Sequence, residues 1–184
     1  MSKNQKLIQK ITIISLLAAL SVVLRFFVVD FGAARIIFHN IPIMIAGMTF
    51  GPLIGIICAL VADVSSFPYT PNWHPAFMLS ASMWGLLPGL FKLFLDTFKL
   101  RNIIAIEIIT YLFMTFVNTV LIGLIFVGSL SLEWIYLRLN TAIPIMLIKI
   151  PIDVMILFIL MNTVMRKFFR PDKKVLTEGF HETY

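Results

Sequence analysis

The sequence predicts an all-α integral membrane protein, a compact bundle of six transmembrane helices, and three observations carry that prediction. Sixty per cent of the 184 residues are hydrophobic, against roughly 45–50% in a soluble globular domain. The mean hydropathy is +0.98. The basic residues gather at the ends of apolar runs, so the net charge of +6 reads as membrane topology and not as a nucleic-acid footprint. Such a chain cannot hide this much apolar surface and still supply a water-facing shell. Five or six spans of about 20 residues use nearly all of it, which leaves no room for a separate soluble domain. The expected organisation is a six-helix transmembrane domain over residues 1–168 and a polar cytoplasmic tail over residues 169–184.

Span one is expected at Ile11–Val29, behind Lys3, Lys6 and Lys10. The run lacks a small-residue cleavage pattern, so it reads as a retained helix and not a signal peptide. A polar stretch from Asp30 to Asn40 follows, then two short segments, Ile41–Phe50 and Pro52–Asp63, split only by Gly51. Ten residues of helix cover only about 15 Å, half a bilayer, so one of these is a partial or steeply tilted span. A turn-rich loop from Ser65 to Pro75 leads to span four at Ala76–Leu95. Asp96, Lys99 and Arg101 mark a charged turn before span five at Ile103–Val127. A loop from Gly128 to Arg138 precedes span six at Leu139–Met165, and a basic tail closes the chain. Lysines at the amino end and Arg166, Lys167, Arg170, Lys173 and Lys174 at the other place both termini in the cytoplasm, which requires an even number of spans.

Glycines recur as Gly47-x-x-x-Gly51-x-x-x-Gly55 and Gly85-x-x-x-Gly89, a spacing that lets helix backbones approach closely. Span one offers a weaker small-residue face at Ser15, Ala18 and Ala19, suited either to packing within the chain or to a partner protein.

Ionisable residues inside a span are expensive and are therefore candidate functional groups. Arg25, Asp63, Lys149 and Asp153 stand out, with Asn118 at a depth similar to that of Lys149. Lys149 and Asp153 share a helix face. They form either a self-neutralising structural pair or part of a ligand cavity, and Asp153 is the more structural of the two. Arg25 either binds or snorkels to the interface. The aromatics Tyr69, Trp73 and Trp134 on outer loops either anchor at the interface or cover a ligand. Pro144 and Pro151 free the carbonyls of Asn140 and Leu147. No Gly-x-x-x-x-Gly-Lys-Ser/Thr loop, His-Glu-x-x-His or Gly-x-Ser-x-Gly motif occurs. No cysteine or histidine spacing suits a metal, and the single Cys58 reads as a small buried hydrophobe. An enzyme is poorly supported, no catalytic residue, metal or cofactor is expected, and the pattern fits a binding unit energised by something else.

Two runs resemble a known family. Ala34-Arg35-Ile36-Ile37-Phe38-His39-Asn40-Ile41-Pro42, continuing through Gly47-Met48-Thr49-Phe50-Gly51-Pro52, and Pro75-Ala76-Phe77-Met78-Leu79-Ser80-Ala81-Ser82-Met83-Trp84-Gly85 resemble the S components of energy-coupling factor (ECF) vitamin transporters. Asn118-Thr119 and Ile150-Pro151-Ile152-Asp153 are also similar to that family. The likeness covers about residues 11–168 and is strongest to the folate-specific branch. It implies a six-helix ECF S-component fold that captures a vitamin from outside. It also implies a transmembrane coupling protein and two ABC-type ATPases as partners. The family docks through an alanine-rich face of span one. Here Ser15, Ala18, Ala19 and Val22 stand in that place, and the departure from Ala-x-x-x-Ala leaves the docking details open.

Set against folate chemistry, Asp63 suits the 2-amino-4-oxo edge of a pterin. Phe67, Tyr69, Trp73, Phe77 or Trp84 suit its flat ring, and Arg25, Arg35 or Lys149 suit the anionic glutamate tail. These cations argue against thiamine and do not separate folate from pantothenate or another anionic vitamin. A membrane scaffold or assembly protein, with its buried charges serving only packing, is the alternative of another class.

Overall fold

The computed structural model describes residues 3–30, 35–69 and 74–166. Six helices make up nearly all of it: α1 (Lys3–Phe26), α2 (Asn40–Phe50), α3 (Pro52–Ser66), α4 (Ala76–Phe91), α5 (Leu100–Ile122) and α6 (Leu132–Leu160). Three apolar stretches, Leu7–Phe26, Leu100–Val127 and Leu132–Met165, are long enough to cross a membrane alone, whereas α2, α3 and α4 are shorter. The six-helix expectation is met. Large apolar side chains are exposed on every helix except α2, among them Phe116, Leu132 and Leu147. A hydrocarbon solvent makes such exposure favourable.

Gly51 separates α2 from α3. Its φ of 103° lies where only glycine sits without strain, and Pro52 takes the first position of α3, where a missing N–H costs nothing. The glycine motif therefore does not run along one continuous helix. It instead brings three helices into backbone contact. A Cβ on Gly85 would lie 2.2 Å from the carbonyl carbon of Gly55, one on Gly47 would lie 2.4 Å from the Gly85 oxygen, and one on Gly89 would lie 2.4 Å from Pro52 Cα. Against this α2–α3–α4 core pack Leu17 and Ala18 of α1, Ile103 and Ile106 of α5, and Val154 and Leu157 of α6.

Three boundaries correct the sequence reading. The first helix ends at Phe26 and not Val29, and the end of that expected span together with the expected loop over 30–40 supplies two short antiparallel strands, β1 (Val28–Asp30) and β2 (Arg35–Ile37), with Val29 opposite Ile36. Helix α4 stops at Phe91 and not Leu95; beyond it the chain turns, with the Lys92 ammonium donating to the Thr49 carbonyl. The expected loop from Gly128 to Arg138 is mostly helix. A π-helical turn, Gly123–Val127, ends α5 at Gly128, and α6 begins at Leu132 with Ser131 accepting from the Trp134 N–H at 3.2 Å. That cap supplies an acceptor for one of the orphan donors of the first turn, which favours a helix start ahead of the mixed polar sequence. Pro144 and Pro151 lie inside α6, which continues through both. The expected tail, residues 169–184, lies outside the described residues.

Candidate functional site

A cavity of about 550 Å³ opens between α4, α5, α6 and the junction of β2 with α2. Its deep end is built around Lys149. The ammonium donates to Asp153 one turn along α6 and, at 3.1 Å, to the amide oxygen of Asn40, whose own NH₂ donates to Asp153 at 3.2 Å. Trp84 and Tyr111 wall this corner, their ring centroids 5.8 and 5.6 Å from the ammonium and 6.0 Å from each other, edge to face. The Lys149 charge is thus both neutralised by a carboxylate and set against two π faces. The rest of the lining mixes apolar side chains with His39, Thr115, Asn118, Arg138 and Thr141, the composition of a pocket with a few placed polar groups.

Behind this corner lies a fully buried carboxyl group, Glu107, beside Asp153. The Thr110 hydroxyl is buried without a hydrogen-bond partner among the described residues, and the Glu107 and Asp153 carboxyl groups lie within hydrogen-bonding reach of each other. Near the β2–α2 junction, Arg25 of α1 meets the buried Asp63 of α3 at 2.8 Å and keeps its Nη1 buried without a partner. Ser21 donates to the His39 carbonyl at 2.8 Å, fixing this junction to α1. Burial first, then the charges of Arg25 and Lys149, push the His39 imidazole from 6.5 down to about 3. It is therefore neutral at physiological pH.

Of the binding residues expected from sequence, Trp84, Asn118 and Lys149 line the cavity. Asn118 accepts from the buried Ser80 hydroxyl at 2.6 Å. Arg25 and Asp63 do not line it and pair with each other. Phe77 stacks on Phe126, with centroids 6.1 Å apart and planes 14° from parallel. Trp73 and the side chains of Arg35 and Tyr69 lie outside the described residues. Sequence reasoning missed His39, Asn40, Tyr111, Arg138 and Glu107 as site residues. Glu107 carried a usable signal, a carboxylate inside span five. Arg138 was hidden by the misplaced start of α6.

The four expected docking residues, Ser15, Ala18, Ala19 and Val22, share a groove between α1 and α3 of about 610 Å³ with Ile57, Cys58 and Val61 among its other walls. Ser15 and Ala19 are exposed, Ala18 is buried and Val22 packs on the small cluster of Ile43, Ala59 and Ala62.

A bundle of apolar helices around a partly polar internal cavity is the architecture of a membrane-embedded substrate-binding subunit. The comparisons agree. The family model for the ECF transporter substrate-specific component matches residues 9–164. The chain belongs to that family, and it is a multi-pass membrane protein. Folate transporter FolT of Clostridium novyi (strain NT) is 33% identical over 98 residues, 52% of this chain and 57% of that protein, so the match spans less than two thirds of that relative. The crystal structure of FolT bound with folic acid superposes with a TM-score of 0.66 at 27% identity, covering 84% of this chain and 95% of the other. The structure of the S component of a bacterial ECF transporter superposes with a TM-score of 0.58 at 24% identity over 92% of this chain and all of that one, which speaks to the fold alone.

Proposed function

We propose that this S component captures folate, or a related pterin, from outside the cell and delivers it across the membrane. The observation that carries the reading is the corner formed by Trp84, Tyr111 and Lys149, taken with the likeness to a folic-acid-bound protein. Flat aromatic walls favour a heteroaromatic ring over pantothenate, which has nothing to stack. Lys149 and Asn40 offer polar atoms to the ring edge, and Asn118 and His39 line the same space. Arg25 retains an unpartnered Nη1 beside the pocket and completes the proposed set with Asp63, which holds it. Arg35, Tyr69, Trp73 and Phe77 belong to the proposal as covering or tail-binding groups on the strength of the sequence reading.

The groove at Ser15, Ala18, Ala19 and Val22 is proposed as the docking face for a transmembrane coupling protein. That partner is driven in turn by two ABC-type ATPases. Both termini face the cytoplasm in this reading, as the lysine and arginine distribution favours.

The test is tryptophan fluorescence of the purified chain in detergent, titrated in turn with folic acid, pantothenate and thiamine. Saturable quenching by folic acid alone is the expected result, and Trp84→Phe removes most of the signal. Quenching by pantothenate alone moves the substrate within the family. Silence with all three ligands in a folded sample refutes a folate carrier.

A further inference from the structure

Helix α6 presents two cations to the cavity, Lys149 and Arg138. They are eleven residues apart, which is three helical turns, so they share one face about 16 Å apart along the axis. Their surroundings differ. Lys149 is buried and its charge is balanced within its own helix by Asp153. Arg138 is half-buried, with its guanidinium carbon 5.8 Å from the centroid of the Trp134 ring. That ring is itself fixed, because its indole N–H donates to the Thr119 carbonyl at 3.1 Å. Arg138 has no ion pair among the described residues, and its Nε is buried without a hydrogen-bond partner.

The other carboxylates nearby are already placed. Asp153 and Glu107 lie behind Lys149, Asp63 is held by Arg25, and Glu133 is exposed on α6. The cavity therefore contains one neutralised cation at its deep end and one uncompensated cation three turns away. A guanidinium lying over an indole uses its face for the contact and leaves its N–H edge in the plane. That edge matches a carboxylate through two parallel hydrogen bonds. An ammonium already shared with a carboxylate and an amide has little left for a second anion and suits an uncharged acceptor.

We infer that Arg138 takes the carboxylate of the ligand, while Lys149 meets an uncharged acceptor on its ring. This assignment deepens the folate reading and rests on it. It fixes the direction of the bound molecule: the ring lies against Trp84 and Tyr111 and the acidic tail reaches the amino-terminal part of α6. It also moves the main tail-binding role from the cations singled out in the sequence to one that the sequence concealed.

The test compares two ligands on the purified full chain in detergent: folic acid, and 6-methylpterin, which keeps the ring edge and lacks any carboxylate. Arg138→Gln is expected to weaken folic acid by about 10- to 100-fold, the value of a charged hydrogen-bonded contact, and to leave 6-methylpterin unchanged. Arg138→Lys keeps the charge without the paired geometry and is expected to fall between. In the wild type, rising salt is expected to weaken folic acid and spare 6-methylpterin, a readout that needs no variant to fold. An Arg138→Gln protein that loses both ligands equally, or neither, overturns the inference, as does a salt response common to both ligands. A wild type that binds neither ligand instead refutes the folate reading beneath it.

Discussion

Arg25 on α1 and Asp63 on α3 form a 2.8 Å ion pair, with Asp63 almost fully buried and Arg25 22% exposed at its side chain. Two helices that sequence reasoning treated separately are thereby tied at one end of the bundle. Removing the cation alone leaves a buried carboxylate without this countercharge. Arg25→Gln is expected to destabilise the protein by about 3 kcal/mol, read as a lower unfolding midpoint in detergent. The double variant Arg25→Gln, Asp63→Asn recovers most of that loss. A double variant as unstable as the single one contradicts the pairing as the cause.

The glycine contacts set a second expectation. Gly85→Ala drives a methyl group into the Gly55 backbone, 2.2 Å away, where neither partner is a movable side chain. The cost is about 3 kcal/mol, visible as lost monodisperse yield on size-exclusion chromatography. Gly51→Ala meets no atom within 4 Å yet carries a φ of 103°. It should cost about 2 kcal/mol through backbone strain alone. Equal tolerance of both substitutions argues against this packing.

His39 gives a pH dependence. An unfolded histidine titrates at 6.5 and the folded one at about 3. Between these values the unfolded chain binds a proton that the folded chain refuses, so stability rises with pH across the window. The contribution is complete above 6.5 and is lost as pH falls toward 3, by up to about 1.4 kcal/mol per unit. The unfolding midpoint of the wild type is expected to drop between pH 7 and pH 4 by more than that of His39→Gln. Superimposable profiles refute the assignment.

The groove proposed for docking yields a separable variant. Ala19 is exposed in the α1–α3 groove and is not among the residues that line the cavity. Ala19→Trp is expected to leave folic acid titration unchanged while abolishing co-purification with a coupling protein and its ATPases. Intact assembly places docking on another face.

The bundle was legible because its signals are local. Long apolar runs, the breaking pair Gly51-Pro52 and the two glycine motifs each act within a few residues. The start of α6 was not legible, because Glu133, Trp134, Tyr136 and Arg138 have the composition of a loop, and only the weak cap at Ser131 marks a helix. In the site, Lys149, Asn118 and Trp84 stood out as polar or bulky residues in apolar surroundings. Tyr111 and Asn40 did not. A tyrosine within a span reads as an anchor or as core, and the value of Asn40 lies in its bond to Lys149, 109 residues away. No periodicity carries a contact of that range. The same limit applies to Arg25 and Asp63: each was recognised as costly, but their pairing needed the fold.

Helix α2 has 11 residues, and every one from Asn40 to Met48 is buried. At 1.5 Å per residue it reaches about 16 Å, roughly half the hydrocarbon thickness. It exposes no large apolar side chain to lipid, and its first residue is an asparagine bonded to α6. Such a segment has no stable place in a bilayer by itself. Its burial depends on the close approach of α3 and α4 at its glycine, and its first residue reaches its partners Lys149 and Asp153 only once α6 is in place. The centre of the molecule is therefore a segment held by protein and not by lipid, and its place depends on the helices around it.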